Sequence, residues 1–149
     1  MLLKEVCTLD VACCGAQTRV LAAAHLMRTH HVGDLVVVED PDEERVPLGV
    51  VTDRDLVLDV LGNGLDPATT SVGSLMQRPV VIAREDEDTS VVVERMQSHG
   101  VRRVPVVDAQ GAVVGIITLD DLLRVFVDEA AKLVQIMSRG QNRERRAHR

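Results

Sequence analysis

The chain has 149 residues, enough for one compact domain or two very small ones, and 46% of them are hydrophobic although Phe126 is the only aromatic. Its net charge of −6 is uneven: residues 139–149 hold five arginines against Glu144 alone, and the rest carries 12 Lys and Arg against 22 Asp and Glu. An acidic body without Trp or Tyr argues against a nucleic-acid surface, which needs clustered positive charge and stacking rings, and no apolar run approaches the ~18–20 residues of a membrane span.

Lys4, Glu5 and Asp10 break up the N-terminal apolar stretch, so no secretory signal is expected. Cys7, Cys13 and Cys14 are too few and too close for a disulfide framework. A cytoplasmic protein with reduced thiols follows as the expectation. Val20, Leu21, Ala24 and Met27 then fall on one face of a helix. Leu35–Val38 reads as a short buried strand, Pro41 and the charges at 42–45 as an exposed turn, and Leu48–Thr52 as the return strand. A helix follows from Asp53 to about Leu61. Gly62–Asn63–Gly64 through Pro67 reads as a linker. Val91–Val93 alone would suggest another strand. Val104–Val107 and Val113–Thr118 are strands joined by a tight turn at Gly111, and a helix runs from Leu119 to about Met137.

These elements repeat. Met27-Arg-Thr-His-His-Val32 precedes Leu35–Val38 as Met96-Gln-Ser-His-Gly-Val101 precedes Val104–Val107, at a constant offset of 69. Leu48-Gly-Val-Val-Thr-Asp-Arg-Asp-Leu56 matches Val114-Gly-Ile-Ile-Thr-Leu-Asp-Asp-Leu122 at an offset of 66, so the first turn is three residues longer. In this register Val93 and Met96 take the places of Ala24 and Met27, which makes the Val91–Val93 segment helical. One copy of roughly 60 residues buries little core by surface-to-volume scaling. Two copies packed sheet to sheet give an α/β, pseudo-symmetric unit with a β-α-β-β-α order in each half.

The doubled helix–His–x–Val–x–x–φ–φ–Val–Val and Gly–φ–φ–Thr–x–x–Asp–Leu patterns (φ apolar) resemble those of a CBS-domain pair, or Bateman module, over nearly all of residues 1–138. The resemblance implies repeats at 1–61 and 72–138, a linker at 62–71, and an Arg-rich tail at 139–149 that is disordered at its end. It further implies a stand-alone pair of the kind found in prokaryotic sensors. Such pairs bind adenosine nucleotides (AMP, ADP, ATP, NAD or S-adenosylmethionine) in clefts between the repeats and dimerise into a disc.

The motif has its own chemical logic. Its glycine, Gly49 or Gly115, lets a ligand or another backbone approach closely. Thr52 and Thr118 sit at strand-to-helix junctions, where free N–H groups favour an anion. Asp55 and Asp121, one turn on, can accept both hydroxyl protons of a ribose. By resemblance these carboxylates hold ribose, with the threonines near ribose or phosphate. Thr–x–x–Asp is equally close to a capping box, which needs no ligand. The segments Ala12–Cys13–Cys14 and Val81–Ile82–Ala83 match where the family lines its adenine slot, and simple strand packing is the other reading. Arg54, Arg102 and Arg103 are candidates for phosphate or are solvated surface charges. Gly33 and Asp34 fill the places of Arg102 and Arg103 in the first repeat, and Asp120 that of Arg54, so the clefts should differ. His30, His31 and His99 fall at helix ends, where capping is the expected job.

Adjacent cysteines without a CxxC are poor zinc spacing, so no metal site is expected, and no catalytic arrangement of the Ser–His–Asp or HExxH kind occurs. The expected function is a non-enzymatic regulatory module with an adenine-nucleotide ligand, a homodimeric state and a regulated partner protein. A ligand-independent dimeric scaffold with degenerate clefts is the alternative.

Overall fold

The computed structural model describes residues 1–147, without the side chains of residues 141, 142 and 144–147. Each half carries a three-stranded sheet. In the first, β1 (Cys13–Gly15) runs parallel to β2 (Asp34–Val38), which pairs antiparallel with β3 (Pro47–Thr52). Helix α1 (Val20–His30) joins β1 to β2. After β3 comes α2, one helical turn at Asp53–Asp55 that widens into a π-helical stretch at Leu56–Leu61. The second half repeats this with β4 (Ala83–Arg84), α3 (Thr89–His99), β5 (Arg103–Val107), β6 (Val113–Thr118) and α4 (Leu119–Ala147). The mixed α/β fold of two small sheets with their helices is the one expected, including a helix at Val91–Val93.

Strand alternation divides the core. Leu35 and Val37 of β2 face the first half's helices, and Val104 and Val106 of β5 face those of the second half. Val36 and Val38 point the opposite way and meet Val107, Val113 and Ile116, so the two sheets share a third, central layer. Valine suits such strands because its branched Cβ packs well on a pleated surface.

The halves also exchange their leading segments. Leu3, fully buried, packs with Val92, Val104 and Ile117 of the second half, while Val72, also fully buried, packs with Val20, Leu35 and Val51 of the first. Thr8 exchanges two backbone hydrogen bonds with Ile116, both 2.9 Å, and Gln77 N–H donates to Val50 O at 2.9 Å. These crossings explain both motif glycines. A Cβ on Gly49 would stand 2.9 Å from the Gln77 carbonyl oxygen, and one on Gly115 would stand 2.7 Å from Cys7 Sγ. Another strand of backbone, and no ligand, takes up that room.

Two expectations change. Leu21 is 48% exposed, and the core face of α1 is Val20, Ala23 and Met27, one residue round the helix from the expected stripe. Helix α4 runs past Met137 to Ala147, since 138–147 contains no proline and one glycine among good helix formers. Of the disorder expected at the tail's end, residues 148–149 lie outside the described residues.

Candidate functional site

The two motif copies end in the same local device. Thr52 N–H donates to Asp55 Oδ2 at 2.8 Å and Asp55 N–H donates back to Thr52 Oγ1 at 3.2 Å, a closed capping box at the start of α2. At α4, Thr118 N–H reaches Asp121 Oδ2 at 3.0 Å, the Thr118 hydroxyl donates to the same oxygen at 2.7 Å, and Asp121 N–H donates to Thr118 Oγ1 at 3.2 Å. Capping consumes one oxygen of each carboxylate. Among the described residues, Asp55 Oδ1 has only a long contact, 3.4 Å, from Gln77 Nε2.

That oxygen borders a cleft of about 500 Å³ between the halves, within the size range of small-molecule sites. Thr52, Arg54 and Asp55 line it from the first repeat, and Val81, Arg102 and Arg103 from the second. The arginines of one repeat therefore line the same cleft as the motif carboxylate of the other. Gln77, Asp59 and Val80 line it as well and were missed in the sequence. Asp59 was within reach, since it stands four residues after Asp55, on the same face of a helix. Gln77 was not, because only the exchange of segments brings it there.

Thr118, Asp121, Ala12, Cys13, Ile82 and Ala83 do not line this cleft. Ala83 is 1% exposed in the second core, and Cys13 packs against the central valine layer. Ala12 lies against the first core, and Ile82 is half-exposed, its carbonyl accepting from Arg95 Nη1 at 2.7 Å. Strand packing thus accounts for Cys13 and Ala83.

Arg103 Nε donates to Asp34 Oδ1 at 3.1 Å. Burial pushes the Asp34 carboxyl above its ordinary range; Arg103 opposes that shift, while the charges of Asp53 and Asp121 add to it. Asp55 shares its cleft with the carboxylates of Asp53 and Asp59 and with Arg54 and Arg102, whose guanidinium groups form no ion pair among the described residues.

The thiols are held in the protonated form. Burial raises all three, Cys14 to about 11 with the adjacent Cys13 adding to the effect, and a protonated thiol is a weak nucleophile and ligand. Among the described residues, no group of three or more His, Cys, Asp or Glu is arranged to hold a metal ion, and no helix is long and apolar enough to cross a membrane.

Comparison with known proteins agrees with this architecture. A family model described as the CBS domain matches residues 3–62 and again residues 72–128. Hypoxic response protein 1 of Mycobacterium tuberculosis is 33% identical over 127 residues, which cover 85% of this chain and 86% of that protein. A crystal structure of Hypoxic Response Protein I with two coordinated zinc ions aligns with a TM-score of 0.72 at 33% identity, over 83% of this chain and 98% of that one. The CBS domain pair of protein MJ0100, in complex with 5′-methylthioadenosine and S-adenosyl-L-methionine, aligns with a TM-score of 0.74 at 26% identity, over 87% and 98%. A Methanopyrus kandleri protein is 36% identical over 121 residues, or 81% of this chain, which spans 60% of that relative's length.

Proposed function

The chain belongs to the CBS-domain family, and from that membership we propose that it is a regulatory, non-catalytic module that binds an adenine nucleotide between its repeats and signals occupancy to a partner protein. The observation that carries the reading is the cleft lined both by Asp55 of one repeat and by Arg102 of the other. In it Asp55 Oδ1 accepts from the ribose hydroxyls, Thr52 lies at the ribose–phosphate junction, and Arg54 and Arg102 meet the phosphate, where charge-assisted bonds are strongest. Val80 and Val81 offer the apolar wall an adenine ring needs. AMP, ATP and NAD all present these groups. The adenosyl compounds bound to the MJ0100 pair support the adenine part of the reading. Thr118 and Asp121, which lie outside this cleft, form at most a weaker second site, and the module works as a homodimer.

The capping boxes favour one other reading. Both motif carboxylates already serve the backbone, as they would in a ligand-independent scaffold. Titration calorimetry with AMP and adenosine separates the two. One site per chain is expected, with Arg102→Ala weakening AMP more than adenosine because only AMP carries the phosphate. Absence of heat from either ligand would favour the scaffold.

A further inference from the structure

The helix that follows the motif is built differently in the two repeats. In the second, α4 is regular: Leu122 is 1% exposed, Val125 is half-buried three residues on, and Phe126 is 50% exposed. At the offset of 66 the matching residues of the first repeat are Leu56, Asp59 and Val60. There the core position moves by one residue, so that Val60 is 1% exposed and Asp59 is at the surface. The π-helical stretch at Leu56–Leu61 makes the difference. Its wider turn closes with Gly62 N–H donating to Val57 O, five residues back, at 2.9 Å. That turn seats Val60 in the first core and leaves Asp59 on the cleft. A regular helix would aim the carboxylate where the second repeat has Val125, and burying a charge unpaired is costly. Gly62 belongs to the same device, since a Cβ there would press on the Leu58 carbonyl oxygen. Such π turns are rare and concentrate at functional sites.

The nucleotide reading orders a ligand along this helix. Thr52 and Arg54 stand at its start, toward the phosphate, and Asp55 follows at the ribose. Leu58 and Asp59, one turn further from the phosphate, line the same cleft. We propose that Asp59 reads the base: its carboxylate accepts a hydrogen from the 6-amino group of adenine while Leu58 packs against the ring. An ionised carboxylate accepts and does not donate. A base with a 6-keto oxygen, hypoxanthine or guanine, would set acceptor against acceptor, and a polar group left unpaired is what rejects a wrong ligand most strongly. Among the described residues the Asp59 carboxylate is in no ion pair. Asp53 also lines the cleft, but it precedes Asp55 on the phosphate side and accepts the Arg54 N–H at 2.8 Å. The second repeat, with Val125 in the matching place, has no such acceptor.

The proposal rests on the nucleotide reading and names the group that makes it specific for adenine. Calorimetry of the full chain with AMP and with IMP tests the two separately. The parent is expected to bind AMP ~30-fold more tightly than IMP, the range of one hydrogen bond to a charged group. Asp59→Asn can turn its amide to offer either a donor or an acceptor, and is expected to bring the two ligands within about threefold of each other. Gly62→Ala, which opposes the wide turn and leaves the carboxylate in the chain, is expected to lower the same preference. In both variants the preference for AMP over adenosine, set by Arg54 and Arg102, is expected to stay as in the parent. A parent that binds neither nucleotide overturns both readings. A parent that binds AMP and IMP equally overturns the role of Asp59 and leaves the nucleotide reading standing. A preference for AMP that survives Asp59→Asn assigns the base to another group and overturns the proposal. A preference that survives in folded Gly62→Ala overturns the part given to the π turn.

Discussion

Arg103 and Asp34 hold the same place in the two repeats, 69 residues apart, and are each other's partner at 3.1 Å. A position that meets its own counterpart across a pseudo-twofold axis cannot be filled twice by arginine or twice by aspartate without facing like charges. Opposite residues resolve this, so the difference between the repeats is structural before it is functional. It also draws part of the Arg103 charge away from the cleft.

Asp34→Asn is therefore expected to release Arg103 and tighten AMP by about threefold while leaving adenosine nearly unchanged, as read by calorimetry. The variant also isolates a pH effect. Because the folded protein holds the Asp34 carboxyl above its ordinary 3.8, the native state retains the proton longer than the unfolded chain. The parent's stability relative to the variant is then highest below the unfolded value and falls as pH rises through the raised one. Urea melts of both proteins from about pH 3 to 7 check the sign, and an advantage that grows with pH would refute it.

Asp55→Asn separates capping from ligand binding. An asparagine oxygen can still accept the Thr52 N–H, but an NH2 group then stands in place of Oδ1 and cannot accept a ribose hydroxyl. Stability should change by only about 0.5 kcal/mol, and nucleotide affinity should drop about tenfold. Equal affinity in variant and parent would reduce Asp55 to a cap.

Gly49→Ala and Gly115→Ala should each cost about 1–3 kcal/mol, because the added methyl meets the Gln77 carbonyl in one case and Cys7 with the Thr8 carbonyl in the other. Gly140→Ala, where a Cβ meets nothing within 4 Å, is the control and should be neutral or stabilising by up to about 1 kcal/mol. Thermal melts of the three variants distinguish close approach from a general dislike of the methyl group.

His31 ends α1 in the left-handed conformation, φ 54°, at the place where Gly100 ends α3 with φ 65°. An exposed histidine gains nothing there that repays the strain, so His31→Gly should stabilise the fold by about 1 kcal/mol. A lower melting temperature would show that the imidazole makes a contact outweighing its backbone cost.

The duplicated pattern made the helices, strands and their order legible, and α3 shows how. Val91–Val93 has strand propensity, yet its alignment with Ala22–Ala24 made it helical, and Val92 and Met96 bury as Ala23 and Met27 do. What stayed hidden was contact between the copies. The motif glycine reads equally as room for a ligand or for backbone, and only the crossing of residues 3–8 and 72–77 decides it. Asp34 and Arg103 look like a simple asymmetry of charge until the axis brings them together. Cys13 has the neighbours of a slot residue in sequence, but strand alternation turns it toward the central layer.

The crossed segments also set an order of events during synthesis. The first half cannot close its core until Val72 has left the ribosome, and the second cannot close until Leu3, more than eighty residues upstream of its partner Val92, has found it. Contacts that distant in sequence slow folding and make it concerted. Neither half is then a unit that can be expressed, exchanged or lost alone. Co-expressed fragments of 1–68 and 69–149 should be recovered folded only together, each supplying the strip of chain that the other lacks.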